Sequence, residues 1–325
     1  MHCELIVPGL LSVKAGAEAR YPALELLMAR GRREHSESGT LEQWLNRAFL
    51  QADAALAAGA LSVAAHGADP GDAWWARADP VHLRVMRDRV VVGPGETFDL
   101  PAGEADALVE ALNRHFGDAA SFVALDPHRW AVRLKQETAF LDRPALVAAG
   151  HDVAAARGSD ALVTEIQMLL HAHPVNEARE ARGEPTVNSL WLWGAGRMPS
   201  ASEAPWRTLV ADDPIALGLA RVSGVRRQAL PASAEAWLDT LPEDGRHLAV
   251  LDALRAPAAL DQLAEHAAGV ATLERLWFAP LLAALRAERI GMLTLRVPAP
   301  GASFETVRGD LRRFWRRPRA IGEYA

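Results

Sequence analysis

The sequence predicts an α/β protein built on a mostly parallel sheet with helices on both faces, carrying a smaller inserted αβ subdomain. Three observations predict it. Short apolar runs closed by glycine or proline alternate with longer stretches whose apolar residues recur at helical spacing, the pattern of strands joined by helices. Between about residues 74 and 149 the pattern changes to closely spaced Val-rich strands around one helix, which sets that block apart from a core of 1–73 and 150–325. Of the 325 residues 50% are hydrophobic and 23% charged, enough to bury one large core or two ordinary ones.

The first apolar run, "ELIVPGLL", is a strand stopped by Pro8-Gly9, and it leads into the helix pattern of "YPALELLMARGRRE". "TLEQWLNRAFLQADAALAAG" predicts one further helix, with Thr40 at its N-cap, Gln43 three residues on in a capping-box arrangement and Gly59 near its end. The inserted block is preceded by "LSVAAHGADPGDAWW", whose turn residues and Val-rich continuation predict strands. It continues with the helix "PAGEADALVEALNRHFG", closed by Gly117, and two short strands around the turn of "SFVALDPHRWAVRL". From Ser159 the alternation returns: helix "ALVTEIQMLLHAH", strands "SLWLW" and "TLVAD", helix "PIALGLARVSG", strand "HLAVLDAL", helix "LERLWFAPLLAALRAE" and strand "IGMLTLRVP". "SLWLW" is expected to re-enter the main sheet after the insertion, and most of the ten tryptophans to serve as packing.

A formal charge of -6 and a pI near 6.0 give no overall attraction to the phosphates of nucleic acid or an anionic membrane, so neither is expected as a partner. Cys3 is the single cysteine, which excludes an internal disulfide and a thiol-built zinc site and suits a reducing cytoplasm. Met1 to Leu11 lacks a basic start, and no later stretch approaches the roughly twenty apolar residues of a spanning helix. A soluble cytoplasmic chain is expected.

The stretch "NSLWLWGAGRMP" carries the main functional question. Gly194 and Gly196 followed by Arg197 fit a backbone turn approaching an anion, with a guanidinium fork beside it. They fit equally a strand turning a corner where a Cβ would clash. Together with the preceding residues, the stretch "HAHPVNEAREARGEPTVNSLWLWGAGRMP" resembles a segment of the archaeal-type cofactor-independent phosphoglycerate mutases, of the alkaline-phosphatase-like superfamily. The shared features are His173 to Asn176, Arg179, Gly183, Pro185, Asn188 and Trp191 through Gly196. "WARADPVHL" with the helix after it is similar to an Arg-x-Asn segment of that family's inserted domain, Asp79 standing for the Asn. "DPHRW" falls where the family carries a Tyr-Arg pair, and "YPALELLMARGR" resembles its first helix. The resemblance implies an alkaline-phosphatase-like fold, and it marks Arg77, Asp79, Arg129, Asn188, Gly194, Gly196 and Arg197 as residues gripping a phosphorylated or carboxylated small ligand.

The family works with two divalent metals, such as manganese or zinc, and a transiently phosphorylated Ser or Thr. Metals are needed because charge accumulates on the transferring oxygens. Their ligands are not recognisable here. Pro8-Gly9 stands where the family has an Asp-Gly turn, Ser36, Ser38 and Thr40 lack the nucleophile's frame, and "HLAVLDALRAPAALDQL" offers Asp252 without the usual His. "RVPAPG" replaces the last Asp-His pair, with Arg296 where a cation should sit. The resemblance therefore implies a degenerate, non-catalytic or regulatory relative with no metal cofactor; the alternative is an active metal-dependent mutase or phosphohydrolase. Arg313 to Pro318, "RFWRRP", resembles the tail of a bacterial group of this build labelled regulatory.

The remaining features read as structural. His82, His128, His171 and His173 invite a metal, but His171 and His173 differ in face on a helix, and capping fits them better. Asp69, Asp72 and Asp79 suit Asx turns. The C-terminal arginines around Phe314 and Trp315 fit a tail packing its aromatics on the body while its cations reach water.

Overall fold

The computed structural model describes residues 1–12, 19–51, 56–87, 89–149 and 161–324. It divides into two compact units, Met1–Ala52 with Ala201–Ala325, and Asp53–Ser200. The second unit is wider than the 74–149 block marked out in the sequence, because the elements on either side of that block pack on its sheet.

In the first unit, β1 (His2–Ile6) lies at the centre of a seven-stranded sheet. The outer strand β2 (Arg32–His35) follows α1 (Pro22–Arg30), and α2 (Leu41–Leu50) follows it. Thr40 and Gln43 form the expected capping box at the start of α2. That helix does not run on to Gly59: Gln51 closes it in the left-handed conformation, 52–55 lie outside the described residues, and a separate helix, α3 (Ala58–Ala65), follows. Residues "LSVAA", expected as strand, are part of α3.

The second unit starts with α3 and is built on five antiparallel strands. They are β3 (Trp74–Val85), β4 (Val90–Pro94), β5 (Ala120–Asp126), β6 (Arg129–Leu134) and β7 (Ser189–Gly196). The twelve-residue β3 is its axis. One side pairs with β7; the other pairs with β6 over Trp74 to Arg77 and with β4 from Val81. The changeover falls at Pro80, which has no N–H to give a ladder. The helices are α4 (Ala102–Phe116), the short α5 (Ala145–Ala148), α6 (Ala161–His171) and α7 (Pro174–Ala181). Ser159, where helical alternation was expected to resume, lies outside the described residues. Leu108 and Leu112 of α4 and Ile166 and Leu170 of α6 bury against Phe122, Trp130, Val132 and Leu190 of the sheet. β7 therefore does not re-enter the main sheet; it pairs with β3 from Trp75 to Val81.

The chain then completes the first sheet with β8 (Thr208–Val210), α8 (Pro214–Val222), β9 (Arg226–Gln228), α9 (Ala234–Leu238) and β10 (Arg246–Val250). After α10 (Arg255–Ala259) come α11 (Leu263–Leu273), α12 (Ala279–Arg286), β11 (Met292–Val297) and β12 (Ala302–Val307). The order is β2-β12-β11-β1-β10-β8-β9, parallel except where β12 meets β11 and β2. The mostly parallel sheet is as the sequence predicts. Cys3, Leu5, Ala249, Leu293 and Leu295 alternate onto one face and bury against α1, α9, α11 and α12.

A π-helical turn, Glu274–Phe278, joins α11 to α12. Pro280 lies just beyond it, and a proline ring displaces the carbonyl one turn back, which widens the helix there. The run Leu263–Arg286 is long and apolar enough, by length and composition alone, to cross a membrane, as core helices of soluble proteins also can be. Its apolar character has a local use: Val270, Trp277, Phe278, Leu281 and Leu285 belong to the core under the sheet.

Candidate functional site

The residues marked by sequence fall in four places of the second unit. Arg77 and Asp79 are two apart on β3 and share a face. Arg77 Nε donates to Asp79 Oδ1 at 3.0 Å, Nη2 reaches the same oxygen, and Nη1 donates to Ser62 Oγ of α3 at 3.2 Å. The indole N–H of Trp193 donates to Asp79 Oδ2 at 2.7 Å, and the Trp193 ring lies under the guanidinium. Both charged groups are buried, and each is answered within the chain. Arg129 opens β6 and pairs with Asp126 at 3.3 Å.

Asn188 clamps the far end of β3: its Oδ1 accepts from Leu83 N at 2.7 Å and its Nδ2 donates to Leu83 O at 2.9 Å. It lines a cavity of about 360 Å³ with His82, Arg84 and His171. Arg197 lines another of about 700 Å³, where Arg133, Lys135 and Arg197 face Asp72, Asp118 and Glu137. Its Nη2 donates to Glu137 at 2.8 Å, and Nη1 bonds the Asp72 carbonyl. Gly194 has φ +58°, its N–H bonds Leu141 O at 2.8 Å, and a Cβ there would overlap that of Ala58; one on Gly196 would stand 2.8 Å from Ala57 Cβ. The close approach these glycines permit is to the start of α3.

The other residues of the resemblance are backbone clamps. Arg179, fully buried, donates to Pro185 O and Asp99 O, both at 2.7 Å, and to Glu104 at 2.6 Å. Asn176 donates to Leu170 O and Val187 O and accepts from Val187 N. His173 caps the start of α7, accepting from Val175 N, rather than the end of a helix. Asp69 makes the expected Asx turn to Gly71 N.

In the first unit, the carboxyl ends of the parallel strands are where open α/β sheets hold their sites. The turn after β1, Pro8-Gly9, carries no ligating side chain, and the ring Nε2–H of buried His266 donates to Gly9 O at 2.9 Å. Asp213, after β8, caps α8 through Ala216 N at 2.8 Å. Its other oxygen lies 3.9 Å from Arg255, whose second Nη pairs with Glu42 of α2. Burial works to lower the Arg255 pKa, but the carboxylates of Glu42, Asp213 and Asp252 outweigh it and raise the pKa above its ordinary value. Among the described residues, no three His, Cys, Asp or Glu side chains converge as metal ligands. The described residues at these strand ends do not fit a two-metal centre, and the cation among Glu42, Asp213 and Asp252 is Arg255.

Sequence reasoning missed a second cluster. Glu4, fully buried on β1, accepts from Arg246 Nε at 2.8 Å, from Trp206 Nε1 at 3.1 Å and, on its other oxygen, from Arg296 Nε at 3.1 Å. Arg296 therefore answers a carboxylate on the adjacent strand. Burial works to raise the Glu4 pKa, yet the two guanidiniums hold it below the ordinary value. Arg246 lies over Trp206 and Arg296 over Trp44, and their side chains are 40% and 29% exposed. Two cations on one anion leave a net positive charge, and Arg246 Nη1 and both Nη groups of Arg296 make no hydrogen bond to another described residue. An acidic residue inside the first apolar run was the available signal.

Comparison with known proteins bears on the scaffold. No family model matches the sequence, and no curated protein matches it. The PH0037 protein from Pyrococcus horikoshii matches in structure with a TM-score of 0.57 at 14% identity, over 94% of this chain and 85% of that one. The likeness is one of fold. A cofactor-independent phosphoglycerate mutase from Thermoplasma acidophilum is similar at a TM-score of 0.45 and 16% identity, over 94% of this chain and 90% of that one.

Proposed function

We propose that this chain is a non-catalytic, regulatory protein on a phosphoglycerate-mutase-like scaffold, which binds a small phosphorylated or carboxylated ligand. The observation that carries the reading is Arg255. A bimetal clamp requires carboxylates free to turn on divalent ions. Here Glu42 and Asp213 turn on a guanidinium supplied by the chain itself. The deciding experiment measures phosphoglycerate isomerisation and phosphomonoester hydrolysis with manganese, beside melting with and without a chelator. No turnover and an unchanged melting temperature are expected; turnover abolished by chelation would overturn the reading.

The ligand half rests on Arg246 and Arg296. Their orientation is fixed by Glu4 before any ligand arrives, which removes part of the ordering cost of binding. A carboxylate or phosphate oxygen fits the unspent N–H groups. Inorganic phosphate or 3-phosphoglycerate at a hundred times its Kd is expected to stabilise the fold by about 2.7 kcal/mol. The shift should shrink in Arg296→Gln. An equal shift in wild type and variant would remove the site from these residues.

A further inference from the structure

The C-terminal arginine-rich segment reverses the division of roles the sequence suggests. Its aromatics face water: Phe314 is 78% exposed and Trp315 66%, and the two rings stack edge to face with centroids 5.3 Å apart. Its arginines include the anchors. Arg313 donates to Arg30 O at 3.2 Å and pairs with Asp310 at 2.8 Å, while Arg316 donates to Gly31 O at 2.9 Å. Arg312 and Arg317 are exposed and spend no side-chain donor on another described residue. Paired exposed aromatics beside unspent guanidiniums are the groups that dominate binding energy at protein interfaces.

The anchors lead to the residues that open β2. This strand is an edge: it pairs with β12 on one side and, among the described residues, with nothing on the other. All four of its residues are exposed. An edge offers alternate peptide N–H and C=O groups at strand spacing, which only another extended polypeptide can match. Its charged side chains repel generic apolar strands. The adjoining segment fixes the sign of what is admitted, since five of the eight residues of 312–319 are arginine and none is acidic.

We infer that β2 and the segment 312–319 form one docking surface for an acidic, extended segment of a partner protein. The partner adds a strand beside Arg32–His35, sets its carboxylates against Arg312 and Arg317, and packs an apolar side chain on Phe314 and Trp315. The edge strand favours a polypeptide over the other anionic partners. Edge-to-face rings do not present the successive parallel platforms on which single-stranded bases stack, and a lipid headgroup has no use for strand backbone. The surface shares no residue with the Arg246–Arg296 cluster, so it stands whether or not that cluster binds an anion.

The test titrates the full chain with fluorescent short peptides alternating Glu with Val or Tyr, beside counterparts with Lys for Glu. Anisotropy reads affinity and hydrogen exchange reads the amides of residues 32–35. The acidic peptides are expected to bind saturably, slow exchange at those amides, and lose about tenfold or more in affinity in Trp315→Ala and in Arg312→Gln with Arg317→Gln. These side chains are exposed, so each variant should keep the wild-type melting temperature, and the exchange measurement on wild type stands without any variant. The inference is overturned if no acidic peptide binds, if binding leaves the β2 amides unprotected or the variants unaffected, or if oligothymidylate or phosphatidylserine vesicles bind the same residues more tightly.

Discussion

A guanidinium buried at Arg77 has to find its counter-charge inside the chain, and Asp79 supplies it from the same face of β3. Removing one member leaves the other charged and desolvated. Arg77→Met should therefore destabilise by about 3–5 kcal/mol, while Arg77→Met with Asp79→Leu recovers much of the loss. Urea midpoints of the two variants check this; equal losses would mean that the pair is uncoupled. The acid limb has a sign that follows from burial. His2 and His247 are held below the ordinary 6.5, burial being the largest cause, so the unfolded chain takes up protons the folded chain refuses. Stability is full above about 6.5 and falls as the pH drops below it. Glu4, held below 4.5 by its arginines despite burial, adds a second loss as the pH falls from 4.5 toward its folded value. Urea midpoints across this range should show both limbs, with His2→Gln flattening the first. Burial likewise pushes the Cys3 thiol up to about 12. It should resist a thiol reagent in the native protein at pH 8 and react fully in urea.

At the scale of elements, Gly194 sets how closely β7 meets α3. It combines a left-handed φ with a position where a methyl would overlap Ala58. Gly194→Ala should cost about 2–4 kcal/mol, summing backbone strain and overpacking, where Gly117→Ala at an open helix end costs about 1. Calorimetry that finds the two equal would show that α3 yields freely. How far each element was legible follows from where its signal lies. The capping box of α2 and the glycine that ends α4 are local, and both are realised. β7 was placed in the wrong sheet because a strand buried on both faces reads as the same apolar run in either. β2, "RREH", carries no apolar period, since it is an exposed edge. The Glu42–Arg255 pair joins residues more than two hundred apart, and no spacing rule reaches it.

For the whole molecule, the parallel sheet was legible because alternation of strand and helix is a global pattern. The candidate site was not, because an arginine counts as a ligand or a structural cation only once its partner is known. Arg77, Arg129 and Arg197 each found a carboxylate nearby, whereas Arg246 and Arg296 share one. Each compact unit owns a separate hydrophobic core. Replacing residues 57–196 with a short Gly-Ser linker should therefore leave a cooperative melt in the remaining unit.

Gly196, at the end of β7, lies against Ala57, where the second unit begins. Entry and exit of the inserted chain thus meet. For the sheet that β1 and β8 must complete, the insertion behaves as a short tether once it has folded. Closing a loop tenfold shorter spares about 2 kcal/mol of chain entropy. Early folding of the inserted unit would thereby speed assembly of the strands on either side of it in the sequence.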